Sequence, residues 1–88
     1  MTQYKYRMIE QAKIDGRFYT QEETPERIVD EQHLERATSR ETMRFFRRGL
    51  GSRQKIERRY IKGVYTIKIF SYSPVDENER TVHIYEEI

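Results

Sequence analysis

Thr24–Gly49 reads TPERIVDEQHLERATSRETMRFFRRG, and how these residues fold decides the architecture. Two helices are the expectation. Thr24 is placed as an N-cap with Pro25 at the first helical position, and carboxylates follow where they offset the positive end of the helix dipole. Val29, Leu34 and Ala37, with His33 nearby, form a ragged apolar stripe, so this helix should be shallowly buried. Thr38-Ser39-Arg40-Glu41 then fits a capping box, in which the Thr and Glu side chains satisfy the first free amides of a second helix. That helix runs to about Arg48, where paired arginines meet its negative end and Gly49 can take the left-handed stop conformation. Met43, Phe46 and Leu50 share one face, and Arg40, Arg44, Arg47 and Arg48 lie together beside it.

Outward from this centre the pattern changes to strands. Tyr4, Tyr6 and Met8 alternate with Lys5 and Arg7, the period of a half-buried strand. Asp15-Gly16 follows, a dipeptide suited to the positive φ angles of a two-residue hairpin turn. Beyond the helices, Gln54–Ile61, Val64–Tyr72 and Arg80–Ile88 read as three strands, joined by Lys62-Gly63 and by a polar loop over residues 73–79. The expected fold is therefore a single α+β domain over residues 1–88. It comprises an N-terminal β-hairpin (1–20), two helices (24–49) and a three-stranded β-meander (54–88). In this order, ββ-αα-βββ, two helices pack on one face of an antiparallel sheet of about five strands. The expected core is Met8, Ile14, Phe18, Val29, Leu34, Met43, Phe46, Leu50, Ile67, Ile69, Val82 and Ile84.

Composition excludes several classes of function. Of 88 residues, 35% are hydrophobic and 36% charged, the polar edge of the globular range, yet eleven aromatics within patterned segments and a net charge of +2 argue against disorder. No cysteine is present, which removes disulfides, thiol nucleophiles and zinc–thiolate sites and suits a reducing, cytoplasmic location. No apolar run approaches a membrane span, so no membrane partner is expected.

The charge is unevenly spread. Residues 40–68 hold ten Lys or Arg against Glu41 and Glu57, net +8, whereas residues 1–39 carry −2 and residues 69–88 carry −4. Such a division points to an anionic partner: nucleic acid, DNA or RNA, or an acidic protein. The residues placed on phosphate backbone are Arg40, Arg44, Arg47, Arg48, Arg53, Lys55, Arg58 and Arg59, with Tyr60 able to stack on unpaired bases, as Tyr65 and Tyr72 are where exposed. The competing expectation is that these arginines pair with Glu22, Glu23, Glu26, Asp30, Glu31 and Glu35 of the first helix. On balance the chain reads as a small non-enzymatic nucleic-acid-binding or regulatory accessory protein. The alternative is a protein–protein interaction module, an inhibitor or adaptor, able to dimerise through an edge strand at residues 4–10.

Catalytic and cofactor signals are sparse. Gly49-Leu50-Gly51-Ser52 follows a helix rather than a strand, the wrong context for a dinucleotide cradle. His33 and His83 lie 50 residues apart with no ligand at helical spacing, so neither metal nor cofactor is expected. His83 is placed opposite Val82 and Ile84, beside Tyr85, where a neighbouring strand could supply Arg58 or Arg59. Two helices leading into a basic antiparallel sheet, with Arg, Tyr and His on late strands, resemble in coarse order the RelE and YoeB family of ribonuclease toxins. That resemblance implies metal-independent RNA cleavage. The family has a single N-terminal strand, whereas this chain opens with a hairpin.

Overall fold

The computed structural model describes residues 2–38, 54–73 and 75–88. Among these residues six strands and one short helix are formed: β1 (Gln3–Ile14), β2 (Arg17–Glu23), β3 (Arg27–Asp30), α1 (Glu31–Thr38), β4 (Gln54–Ile61), β5 (Val64–Tyr72) and β6 (Glu79–Glu87). All strands join one antiparallel sheet in the order β2-β1-β6-β5-β4, with β3 also paired to β1. The protein is thus predominantly antiparallel sheet. The expected α+β arrangement, five strands under two packed helices, is overturned by six strands and a single described helix of eight residues.

The correction begins at Thr24-Pro25. These residues interrupt an edge strand rather than open a helix. β2 pairs with the second half of β1 and β3 with the first half, Gln3↔Asp30 to Tyr6↔Arg27. Between them the Thr24 amide donates to the Met8 carbonyl at 2.9 Å, and the Met8 amide donates to the Thr24 hydroxyl at 2.9 Å. The side chain expected to cap a helix therefore bridges to β1. Pro25, which has no amide proton, falls where an edge strand can tolerate its loss. Ile28-Val29, both β-branched, then favour the extended chain of β3. α1 begins seven residues after Thr24 and uses Asp30, whose Oδ1 accepts the His33 amide at 3.1 Å. Thr38 ends α1, with its hydroxyl donating back to the Leu34 carbonyl at 3.0 Å, the opposite of the N-cap role read for it. The remainder of the expected second helix, with Met43, Phe46 and Leu50, lies outside the described residues.

Both two-residue turns fall where expected. Asp15 and Gly16 take φ of 52° and 82°, and Lys62 and Gly63 take 51° and 81°, the paired left-handed conformation of a type I′ turn. β1 is interior, flanked by β6 on one side and by β2 and β3 on the other, so it offers no edge for the dimer pairing expected at residues 4–10.

Directly opposed residues in the register share a face. Tyr4, Tyr6 and Met8 lie with Tyr85 and His83 of β6, Ile67 and Ile69 of β5, and Ile56 of β4. α1 covers this face with Leu34 and Ala37, and Val29 packs there too. Tyr85, at 0% exposure, is the most enclosed side chain of the core, and Tyr4 and Tyr6 are also buried. None of the three was in the expected core. Ile14, which was, is 52% exposed beside its turn. Val82 and Ile84, also buried, point to the opposite face.

Candidate functional site

Of the nine residues read as a nucleic-acid surface, Lys55, Arg58, Arg59 and Tyr60 are described, and all four stand on β4. Arg40, Arg44, Arg47, Arg48 and Arg53 lie outside the described residues. β4 is the outermost strand, and among the described residues nothing pairs with its outer edge. Strand alternation divides the four residues between two faces. Arg58 and Tyr60, opposite Ile67 and Tyr65, lie on the face that carries α1. Lys55 and Arg59, opposite Phe70 and Thr66, lie on the other. They make a basic edge, reachable from both sides, instead of one flat patch.

Apart from Glu57, and Glu86 and Glu87 on the neighbouring β6, most of the described carboxylates lie away from this edge. β4 and β5 (residues 54–72) carry five cations against Glu57 alone, net +4; residues 17–38 carry six carboxylates against three arginines, net −3. The two groups occupy opposite margins of the sheet, because β2 and β4 are its terminal strands. Among the described residues, Lys55 has Glu57 Oε1 at 3.5 Å, whereas no ion pair engages Arg58, Arg59, Lys62 or Lys68. Arg7 on interior β1 is different: it reaches Glu23 at 3.5 Å and Glu86 at 3.8 Å.

The β4–β5 hairpin ends in two aromatic rings. Tyr60 and Tyr65 face each other across the strands with centroids 5.2 Å apart and planes at 48°. Tyr65 is half-buried and packs against the core; Tyr60 is 74% exposed. Lys62 holds a left-handed φ that Asn, Asp or Gly adopts at less cost. The first hairpin places Asp at the equivalent position. A lysine there keeps a cation at the tip against local preference. Tyr72 points to the opposite face, where the Arg80 guanidinium lies 3.7 Å from the Phe18 centroid and donates to the Tyr72 hydroxyl at 3.3 Å. It therefore does not join the Tyr60–Tyr65 pair.

Sequence reasoning missed a second polar cluster, beneath α1. His33 Nδ1 lies 2.8 Å from the Tyr85 hydroxyl, and Arg27 Nη2 donates to His33 Nε2 at 3.3 Å. Because a neutral imidazole has one donor and one acceptor nitrogen, Nδ1 carries the proton and donates to Tyr85. His83 Nδ1 lies 2.8 Å from the Tyr6 hydroxyl, with the two rings stacked at 13°. Burial holds both imidazoles below their ordinary pKa; the Arg27 charge adds to this at His33 while Asp30 opposes it, and His33 adds to it at His83. Burial also raises the Tyr85 and Tyr6 hydroxyls above the usual phenol range. The two histidines, 50 residues apart in sequence, thus meet on either side of Tyr6. Only the Tyr-x-Tyr alternation of β1 hinted at this arrangement.

The neighbours of His83 differ from those expected. Met8 and Ile69 flank it in the register, and Ile56 follows on β4; Arg58 belongs to the adjoining row with Ile67 and Tyr85, and Arg59 to the other face. Neither Arg58 nor Arg59 therefore stands beside His83 in the register. The cavity that His83 lines, about 540 Å³, carries Glu10, Glu22 and Glu79 together with Arg80. None of the β4 cations lines that cavity. No family model, curated protein or solved structure matches the chain.

Proposed function

We propose that the protein is a non-enzymatic nucleic-acid-binding factor that engages phosphate backbone along the β4–β5 hairpin. The observation that carries this reading is the set of cations Arg58, Arg59, Lys62 and Lys68 on one margin of the sheet, none of which forms an ion pair among the described residues. Forked guanidinium donors match phosphate oxygens, and each contact releases condensed counterions. A cytoplasmic location suits a chain without cysteine. The test is fluorescence anisotropy of labelled DNA and RNA oligonucleotides at low salt. Wild-type protein should bind with micromolar or tighter affinity, and Arg58→Glu with Arg59→Glu should weaken binding at least tenfold with an unchanged circular dichroism spectrum. Unaltered affinity in that variant would remove the hairpin from the interface.

A second reading is favoured by the outer edge of β4, which no described strand covers. An acidic protein segment could add to the sheet there by strand pairing, with its carboxylates against Arg58 and Arg59. Failure to bind any oligonucleotide, with capture of an acidic extended peptide, would select this reading.

A further inference from the structure

Resting on the nucleic-acid reading above, we infer that the tip of the β4–β5 hairpin is a base-stacking platform and that the ligand is a single strand with unpaired bases. Three features of the tip converge on this. First, it lies at the end of the sheet: the last rung between β5 and β6 is Thr66↔Glu86, and the Tyr60↔Tyr65 and Ile61↔Val64 rungs of the hairpin have no ladder partner on β6. Second, one ring is anchored and the other is presented. Tyr65 is fixed against the core, and Tyr60 leans on it with 74% of its surface in water. Third, cations flank the exposed ring on its outer side, Arg58 two residues back on the same face and Lys62 in the turn.

Stacking on Tyr60 requires an accessible base face. In a duplex those faces are covered by neighbouring bases, so an aromatic platform selects unpaired bases, whereas a purely basic edge binds both forms. Charge also sets the direction of the strand. Extending the β5–β6 register by one residue brings Glu87 beside Tyr65, and Glu87 and Tyr65 both act on the Tyr4 hydroxyl. Phosphates are therefore repelled from the inner side of the pair and drawn to the outer side, along β4. The base lies over Tyr60 and the backbone follows Arg58, with Arg59 reaching round the edge from the other face.

A cross-strand tyrosine pair can also serve the hairpin alone, and the test separates the two roles. The full chain is titrated into labelled oligothymidine and oligouridine of about 12 nucleotides, a length within single-strand site sizes, and into a duplex of equal length. Wild-type protein should prefer single strands. Tyr60→Ala should weaken single-strand binding by about 5- to 150-fold and leave duplex binding unchanged, while Tyr60→Phe, which keeps the ring, should retain the preference. The chain has no tryptophan, so tyrosine emission reports directly; single strands should quench it less in Tyr60→Ala than in wild type. Equal wild-type affinity for single strands and duplex, or an equal loss of both in Tyr60→Ala, overturns the platform and leaves backbone binding standing. No binding to either form overturns both.

Discussion

His33 and His83 make the fold sensitive to mild acid. Burial lowers both imidazole pKa values relative to the unfolded chain, so between the two values the unfolded state holds more protons. Their contribution to stability is complete above the unfolded pKa of about 6.5 and is lost as pH falls from there through the folded values. Protonation of His33 would also set a proton on Nε2 against the Arg27 guanidinium, with Arg36 nearby and Asp30 opposing them. The melting temperature should therefore fall between pH 7 and 5, each kcal/mol lost lowering it by roughly 4–8 °C. His33→Gln with His83→Gln should flatten that profile even if it lowers stability at pH 7; an identical slope in the variant would clear the histidines of the effect. Tyr85→Phe tests the same cluster without charge. It removes the acceptor for His33 Nδ1 at a fully buried ring and should cost about 1–3 kcal/mol in urea unfolding at pH 7.5.

At the scale of elements, the start of α1 is where the fold is decided, and Asp30 rather than Thr24 decides it. Asp30→Ala removes the acceptor of the His33 amide and should cost about 0.5–2 kcal/mol. Thr24→Ala should be read instead through β1, as faster exchange of the Met8 amide that its hydroxyl accepts. The sequence could not separate these roles. A proline lacks an amide proton both at a helix start and at a break in an edge strand, and a threonine oxygen accepts an amide in either setting; which amide is a tertiary matter. The turns were legible for the opposite reason. Asp15-Gly16 and Lys62-Gly63 meet a wholly local demand for positive φ, and the strand over Val64–Tyr72 is marked by its own alternation. The buried tyrosines were not legible, because Tyr-Lys-Tyr-Arg reads as half-exposed until the hydroxyl of Tyr6 finds His83, 77 residues away. Of the candidate site, residue types were readable, and strand alternation alone sends Arg58 and Arg59 to opposite sides; which of those sides α1 covers is set by long-range pairing. Lys62 carries a separate consequence. Lys62→Asn suits the left-handed turn better and should raise stability by a few tenths to about 1 kcal/mol, while weakening oligonucleotide binding by removing the tip cation. A gain in stability with undiminished binding would take Lys62 out of the interface.

Across the whole molecule, the sheet separates charge by strand order. The −3 segment containing β2, β3 and α1 stands at one margin and the +4 hairpin of β4 and β5 at the other, with β1 and β6 between them. β2 and β4 stand four strand spacings of about 4.8 Å apart, roughly 19 Å and more than twice the Debye length of about 8 Å at physiological salt, so the fields of the two edges are largely screened from each other. The acidic margin therefore takes little from the hairpin's field, and the nearer opposing charges are Glu86 and Glu87 of β6. This has a quantitative signature. For a single-stranded ligand the logarithm of affinity falls with the logarithm of salt concentration by about 0.7 for each phosphate neutralised. Arg58→Glu with Arg59→Glu removes two such contacts and should reduce the slope by roughly 1.4, apart from any loss of affinity at a given salt. Glu87→Gln should act in the opposite sense, tightening binding at low salt by removing the carboxylate on the inner side of Tyr65. Substitutions at the acidic margin, such as Glu22→Gln with Glu23→Gln, should change neither slope nor affinity above about 150 mM salt, where screening isolates the two edges. If the acidic-margin variant raised affinity as much as Glu87→Gln did, binding would be following net charge, and the separation of the two margins would have no functional consequence.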